Sequence, residues 1–226
     1  MKNNVLIFKD LETIEYKKAL LYQENLFQNA VQNKLTNAVQ NIPHYLLFCE
    51  HLPVFTLGKS GKIDNLLLSE KELKEKNIDF FYTNRGGDIT FHGQGQLTIY
   101  PIFDLEKLNI SLREYIFKLE EIIIQFIKKY NLKGERIENA AGIWIEKNRK
   151  ICAIGVKSSR MITMHGLGFN INTDLTYFDY INPCGFEDKG VGSLAFETKE
   201  NFDMNEIKKK LLPYFLESFD LTLIDE

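Results

Sequence analysis

Gly142-Ile143-Trp144-Ile145-Glu146-Lys147-Asn148-Arg149-Lys150-Ile151-Cys152-Ala153-Ile154-Gly155-Val156 contains two apolar runs separated by a polar tetrad. Trp144–Glu146 and Ile151–Val156 carry the aromatic and β-branched residues that strands favour, and Lys147-Asn148-Arg149-Lys150 has the composition of a turn. The stretch reads as a β-hairpin, which joins antiparallel strands. Working outward, strand candidates recur at Tyr45–Cys49, Val54–Leu57, Ile78–Tyr82, Leu97–Ile102, Gly142–Glu146 and Met161–Ile171. Four helices are interspersed. Leu20 to Val39 places Leu21, Leu26, Ala30, Val31, Leu35 and Ala38 at helical spacing. Ser69-Glu70-Lys71-Glu72 and Ser111-Leu112-Arg113-Glu114 fit the capping box, in which hydroxyl and carboxylate satisfy two free backbone donors. The second opens a stripe of Leu112, Tyr115, Ile116, Leu119, Ile122, Ile123 and Phe126. A last helix from about Asn205 to Phe219 buries Ile207, Leu211, Leu212 and Phe215. Because helices and strands mix without strict βαβ alternation, the expectation is an α+β fold with a mixed, largely antiparallel sheet flanked by helices.

The bulk properties narrow the function. A chain of 226 residues, 44% hydrophobic, fits a single domain over 1–226 with one sizeable core. A net charge of −3 provides no global attraction for nucleic acid or an anionic membrane. No apolar run reaches the roughly 18 residues that would span a bilayer, and the N-terminus is too soon charged for a signal peptide. Three widely separated cysteines, Cys49, Cys152 and Cys184, fit neither a disulfide framework nor a zinc site. A reducing, cytoplasmic location is expected, in which a thiol can be a catalyst. Neither a metal nor a cofactor is expected, and a monomer is the default.

Two segments rich in glycine punctuate the chain. One is His51-Leu52-Pro53-Val54-Phe55-Thr56-Leu57-Gly58-Lys59-Ser60-Gly61. The other, Arg85-Gly86-Gly87-Asp88-Ile89-Thr90-Phe91-His92-Gly93-Gln94-Gly95-Gln96, packs four glycines, an Arg, an Asp and a His into twelve residues. Neither has the spacing of a phosphate-binding or dinucleotide loop, so a tight turn and a ligand loop remain equal readings of the second. Among the cysteines, Cys49 ends the apolar run Tyr45-Leu46-Leu47-Phe48 and Cys152 lies within a strand candidate, and both read as small buried hydrophobes. Cys184 instead stands between Pro183 and Gly185, which suits an exposed thiol on a sharp turn. A structural role for it competes on this evidence.

Arg85 to Gly93, Lys150-Ile151-Cys152-Ala153-Ile154-Gly155, Met164-His165-Gly166 and Asn182-Pro183-Cys184-Gly185 together resemble the lipoyl(octanoyl) transferases. The order and spacing match from about His51 to Leu194. The resemblance implies a biotin/lipoate protein ligase-type catalytic domain. It also implies transfer of an octanoyl group from octanoyl-acyl carrier protein, through a cysteine thioester, to a lysine of a lipoyl domain. Such domains belong to the E2 subunits of 2-oxoacid dehydrogenases and to the glycine-cleavage H protein. Carried over by position, Cys184 matches the thioester cysteine and Lys150 the lysine that lowers its pKa. Arg85, Gly86, Gly87, Asp88, Ile89, Thr90, Phe91 and His92 match the loop lining the acyl site. Ala153, Ile154 and Gly155, and Gly166, Leu167 and Gly168, match two further substrate-binding strips. Gln94 replaces a usual proline, and Gly168 stands where a small residue such as Ala is common.

The chemistry is coherent. A cysteine with an ordinary pKa is only about 3% thiolate at pH 7, and a nearby ammonium raises that fraction. One lysine can therefore activate one cysteine without a histidine. An octanoyl chain offers roughly 5 kcal/mol of apolar burial. His92 and His165 are expected in the pocket, and His51 as a loop-holding group. Asn170 and Asn172 are expected on loop backbone. The rivals are an ATP-dependent lipoate-protein ligase and an octanoyl relay amidotransferase on the same fold.

Overall fold

The computed structural model describes residues 4–36, 42–138, 140–182 and 190–224. Two sheets organise them. The larger has the strand order β12-β1-β2-β6-β10-β9-β8-β7, with β11 also paired to β9. Its strands are β1 (Val5–Ile14), β2 (His44–His51), β6 (Gln96–Ile102), β7 (Gly134–Ile137), β8 (Ala140–Ile145), β9 (Arg149–Ser159), β10 (Ile162–Asn170), β11 (Gly190–Val191) and β12 (Thr222–Ile224). The pairs β1–β2, β1–β12 and β9–β11 are parallel, and the other neighbours in this sheet are antiparallel. The smaller sheet has the order β4-β3-β5, from β3 (Val54–Leu57), β4 (Asp79–Tyr82) and β5 (Ile89–His92). The expected hairpin is β8–β9, with Ile145 opposite Arg149.

Both faces of the large sheet are covered, which is why β6 and β10 are buried at every residue. On one face lie α3 (Leu112–Lys128) and α5 (Met204–Phe219), whose Tyr115, Leu119, Phe126, Leu211 and Phe215 meet Phe48, Ile99 and Phe169 in the main core. On the other face α1 (Tyr16–Leu35) packs Ala19, Phe27 and Ala30 against Leu47, Tyr100 and Met164. The small sheet forms its own cluster of Phe55, Leu57, Ile89 and Phe91 with Leu73 of α2 (Glu70–Glu75). A short α4 (Leu194–Thr198) precedes α5. The capping box at Ser69 is complete: its hydroxyl accepts from Glu72 N at 3.3 Å and Glu72 Oε2 accepts from Ser69 N at 2.8 Å. At α3 the Ser111 hydroxyl accepts from Glu114 N at 3.1 Å.

Several expectations are corrected. The first helix begins at Tyr16, and its buried face is Tyr16, Ala19, Gln23, Phe27 and Ala30, while Leu21 and Leu35 are more than half exposed. A polar residue belongs on that face because Gln23 Oε1 accepts the backbone N–H of His165 at 3.1 Å. Ala38 lies outside the described residues. Leu112, the first residue of α3, is also exposed. The glycine-rich second segment is only partly a loop: Ile89–His92 is strand β5, paired to β3. Strands β1, β7, β11 and β12 were not expected; β7, β11 and β12 have two to four residues, too few to display a period.

Candidate active site

The two glycine-bearing segments are stitched together by backbone hydrogen bonds. Gly58 N donates to Asp88 O, Lys59 N to Arg85 O and Ser60 N to Gly87 O, at 3.0–3.3 Å. Gly86 N then donates to Val156 O of β9 at 2.9 Å, laying the loop across the large sheet. This close approach needs glycine at position 155, where a Cβ would stand 2.8 Å from Gly86 O. The space beneath the loop is a cavity of about 450 Å³, within the range of small-molecule sites.

The structure gathers most of the candidate residues around this one cavity. Arg85, Gly86, Gly87, Asp88, Ile89, Thr90 and His92 line it, as do Ala153, Ile154 and Gly155 from β9 and Gly166, Leu167 and Gly168 from β10. Lys150 lines it as well. Phe91 does not: strand alternation turns it into the small-sheet cluster, where its ring stacks on Tyr177 with centroids 4.4 Å apart. Cys184 lies outside the described residues. Cys49 and Cys152 are wholly buried, and burial pushes both thiols well above their ordinary range, so neither is poised as a thiolate.

Lys150 owes its placement to a β-bulge. Cys152 pairs with Ile143 and Lys150 with Trp144, so Ile151 is an extra residue on β9. The Lys150 ammonium consequently lies 4.6 Å from the centroid of the Trp144 ring. On the other edge of β9, where β10 has ended, β11 pairs Gly190 with Arg149 and Val191 with Lys150.

The buried polar groups are closely paired. Arg85 donates from Nη2 to Thr56 O at 2.7 Å and Thr56 Oγ1 at 3.0 Å, and from Nη1 to Gly86 O at 3.0 Å. His51 sits between Ile14 O, 2.8 Å from Nδ1, and the Tyr100 hydroxyl, 2.7 Å from Nε2, so its two partners lie on strands β1 and β6 and not on a loop. His165, at a left-handed φ of 60°, places Nε2 2.8 Å from Asn84 Oδ1. Desolvation by burial pulls His92 and His165 down to about 3 and His44 and His51 to about 4, so all four rings are neutral at physiological pH. His44 is a buried acceptor for Asp104 N at 3.1 Å. Asn172 exchanges two hydrogen bonds with the backbone of Phe202. Tyr16, Gln96, Thr98, Tyr100, Ile116 and Asn170 also line the cavity. Of these, Asn170 was weighed from the sequence as a backbone-holding residue, Ile116 as part of a helical stripe, and Gln96 as the end of the glycine-rich segment; Tyr16, Thr98 and Tyr100 lie on a helix or within an apolar run, and nothing local marks them.

The chain from residue 22 to 216 matches the model of the lipoyl protein ligase A/B catalytic domain. The chain belongs to that family. This lipoyl ligase-family protein is 52% identical to a Parabacteroides distasonis octanoyltransferase, over 94% of its own length and 97% of the relative's. It is 46% identical to the octanoyltransferase of Flavobacterium psychrophilum, over 98% and 100%. By that kinship the family member is an acyltransferase. Its fold matches a structure of an archaeal lipoylation system from Thermoplasma acidophilum, a bi-partite lipoate protein ligase and its E2 lipoyl domain. That match has a TM-score of 0.69 at 14% identity, covering 99% of this chain and 86% of the other. The expected α+β ligase-type fold is therefore the observed one.

Proposed function

We propose that this acyltransferase moves an octanoyl group from octanoyl-acyl carrier protein to a lysine of lipoyl domains, through a thioester on Cys184. The carrying observation is the convergence of the glycine loop, the two glycine-containing sheet strips and Lys150 on one cavity of about 450 Å³. The described backbone resumes after Cys184 at Gly190, which lines this cavity. Asn182 N donates to Asn65 O at 2.8 Å, and Gly190 pairs with Arg149, next to Lys150. Cys184 precedes Gly190 by six positions, a reach of at most about 21 Å, so the chain length allows the thiol to meet the Lys150 ammonium.

The chemistry then runs in two steps. The Cys184 thiolate attacks the thioester carbonyl of the donor, forming the acyl-enzyme and expelling the carrier thiolate, which takes its proton from the Lys150 ammonium and leaves that lysine neutral. The neutral acceptor amine attacks the acyl-enzyme, forming the amide and regenerating the Cys184 thiolate, while its excess proton passes to Lys150 in the neutral form. The donor arrives activated, so no ATP is consumed. Arg85 to His92, Ala153 to Gly155 and Gly166 to Gly168 would hold the acyl chain, with Phe91 acting from behind through packing. A single catalytic domain over 1–226, working as a monomer in a reducing cytoplasm, fits this chemistry.

Intact mass spectrometry after mixing with octanoyl-acyl carrier protein tests the scheme. A hydroxylamine-sensitive octanoyl adduct is expected on the wild type and not on Cys184→Ala. An adduct that survives Cys184→Ala, or rapid lipoyl-domain labelling from free octanoate and ATP without a carrier, would overturn it.

A further inference from the structure

Polar groups along the inner wall of the cavity form one directed chain of hydrogen bonds, and its direction is set from the ends. Gly192 O and Phe91 O are backbone carbonyls and can only accept. Asn170 therefore turns Nδ2 to Gly192 O at 3.0 Å, leaving Oδ1 to receive Gln96 Nε2 at 2.9 Å. The same Gln96 nitrogen donates to Phe91 O at 3.0 Å. With its amide hydrogens committed, Gln96 faces His92 Nδ1 through Oε1, at 2.7 Å. An amide oxygen only accepts, so Nδ1 carries the ring hydrogen. From the far end, Arg85 Nη2 donates to Thr56 Oγ1, which leaves the threonine proton for His92 Nε2 at 3.4 Å.

We propose that Gln96 is a positioning residue of the acyl site: its side-chain oxygen fixes His92 as the Nδ1–H tautomer and keeps the Nε2 lone pair turned toward Thr56 and Arg85. The proposal rests on the reading of this cavity as the acyl site. With the opposite tautomer, Thr56 Oγ1 would meet ring and guanidinium hydrogens together, and the threonine proton would lose its acceptor. The unpartnered hydroxyl hydrogen would then lie beside the Arg85 contact, and Arg85 is what props the Gly86-Gly87 turn over β9. A second observation, independent of the bond directions, concerns Gly168. A Cβ there would stand 2.9 Å from Gln96 Oε1 and 3.4 Å from His92 Nδ1, so the glycine leaves the room that this bond occupies. The titratable and charged groups facing the ring are His51, Arg85, His165 and the stacked Tyr16.

Imidazole 15N spectra of the full-length protein without substrate, assigned with His92→Asn, read the tautomer directly. The wild type is expected to show His92 as Nδ1–H between about pH 6 and 8. Gln96→Met is expected to move it to Nε2–H or a mixture and to lower kcat for octanoyl transfer about tenfold. Gln96→Glu is expected to keep Nδ1–H and, by placing a carboxylate beside the ring, to add an ionisation to the pH profile of kcat. If Gln96→Met does not fold, Gly168→Ala disturbs the same bond and is expected to shift the same signals. A wild-type Nε2–H ring, or ring signals and kcat unchanged in both Gln96→Met and Gly168→Ala, would overturn the proposal. A wild type with the Nδ1–H ring and no octanoyl transfer would instead sink the acyl reading and leave the tautomer assignment standing.

Discussion

Lys150 stands opposite Trp144 across the β8–β9 ladder, and its ammonium lies 4.6 Å from the centre of the indole ring. The register that makes them partners exists because Ile151 is an extra residue in β9; without it, Ile151 would face the tryptophan. The charged group of the site is thus aimed by a packing irregularity and held over a π face that is itself buried and anchored, Trp144 Nε1 donating to Ala140 O at 3.1 Å.

Lys150 is assigned two tasks, and substitutions separate them. Lys150→Ala is expected to raise the pKa of the Cys184 thiol and to slow transfer by about a hundredfold or more. Lys150→Arg keeps a positive charge but cannot take a proton from the amine, so the acyl-enzyme should form and persist. Alkylation of Cys184 across pH and mass spectrometry of the adduct check both. Unchanged alkylation in Lys150→Ala would refute the pairing.

Trp144→Leu removes the ring under the ammonium, a contact worth about 0.5–1 kcal/mol or more. Transfer should fall at least about two- to fivefold. Trp144→Phe, which retains a π face, should recover part of it. Equal kcat in the two variants, measured where both are folded, would remove the ring from the account.

Gly166 lies in β10 between β6 and β9, and a Cβ there would collide with the carbonyl oxygen of Ile99. The contact is backbone, which cannot rotate away. Gly166→Ala should therefore cost about 1–3 kcal/mol in urea unfolding. Gly190→Ala, whose Cβ would meet nothing within 4 Å, serves as the benign control.

All four histidines are buried and neutral in the fold, with pKa values of about 3 to 4 against 6.5 when exposed. The unfolded chain therefore binds more protons than the folded one between those limits. Stability should be fully present above pH about 6.5 and should fall with pH, by up to about 1.4 kcal/mol per histidine per unit, until the folded values are reached. Urea midpoints at pH 7 and 5 measure this. His44→Gln, distant from the cavity, should flatten the slope, and a slope unchanged in that variant would refute its contribution.

Much of the architecture was legible because it is periodic or punctuated. The α3 stripe, the Ser69 capping box and the β8–β9 hairpin depend on neighbours in sequence, and each formed, with Leu112 left exposed and the hairpin turn shifted so that Arg149 and Lys150 belong to β9. The first helix misled because its buried face includes Gln23, whose partner is the backbone of a residue 142 positions away. Phe91 was counted with the loop because the resemblance carried Arg85 to His92 over as one strip; in the assembled sheet its ring instead packs into the small-sheet cluster. Gln96, quoted only as the end of a glycine-rich segment, received no role because its side-chain partners, His92, Phe91, Asn170 and Thr98, converge only after β5, β6 and β10 have assembled.

The amino-acid sequence by itself determined the fold class, through local patterning, and pointed to the family and to candidate site residues through a resemblance carried by motifs in a fixed order. Tertiary structure alone decided how those residues are aimed: the bulge that sets Lys150 over Trp144, the Gly86 turn laid on Gly155, and the direction of the chain from Gly192 to Arg85. The reason is physical. Whether a side chain points into a cavity depends on strand register, and which atom of an amide or imidazole carries the hydrogen depends on partners that only the assembled sheets bring within about 3 Å.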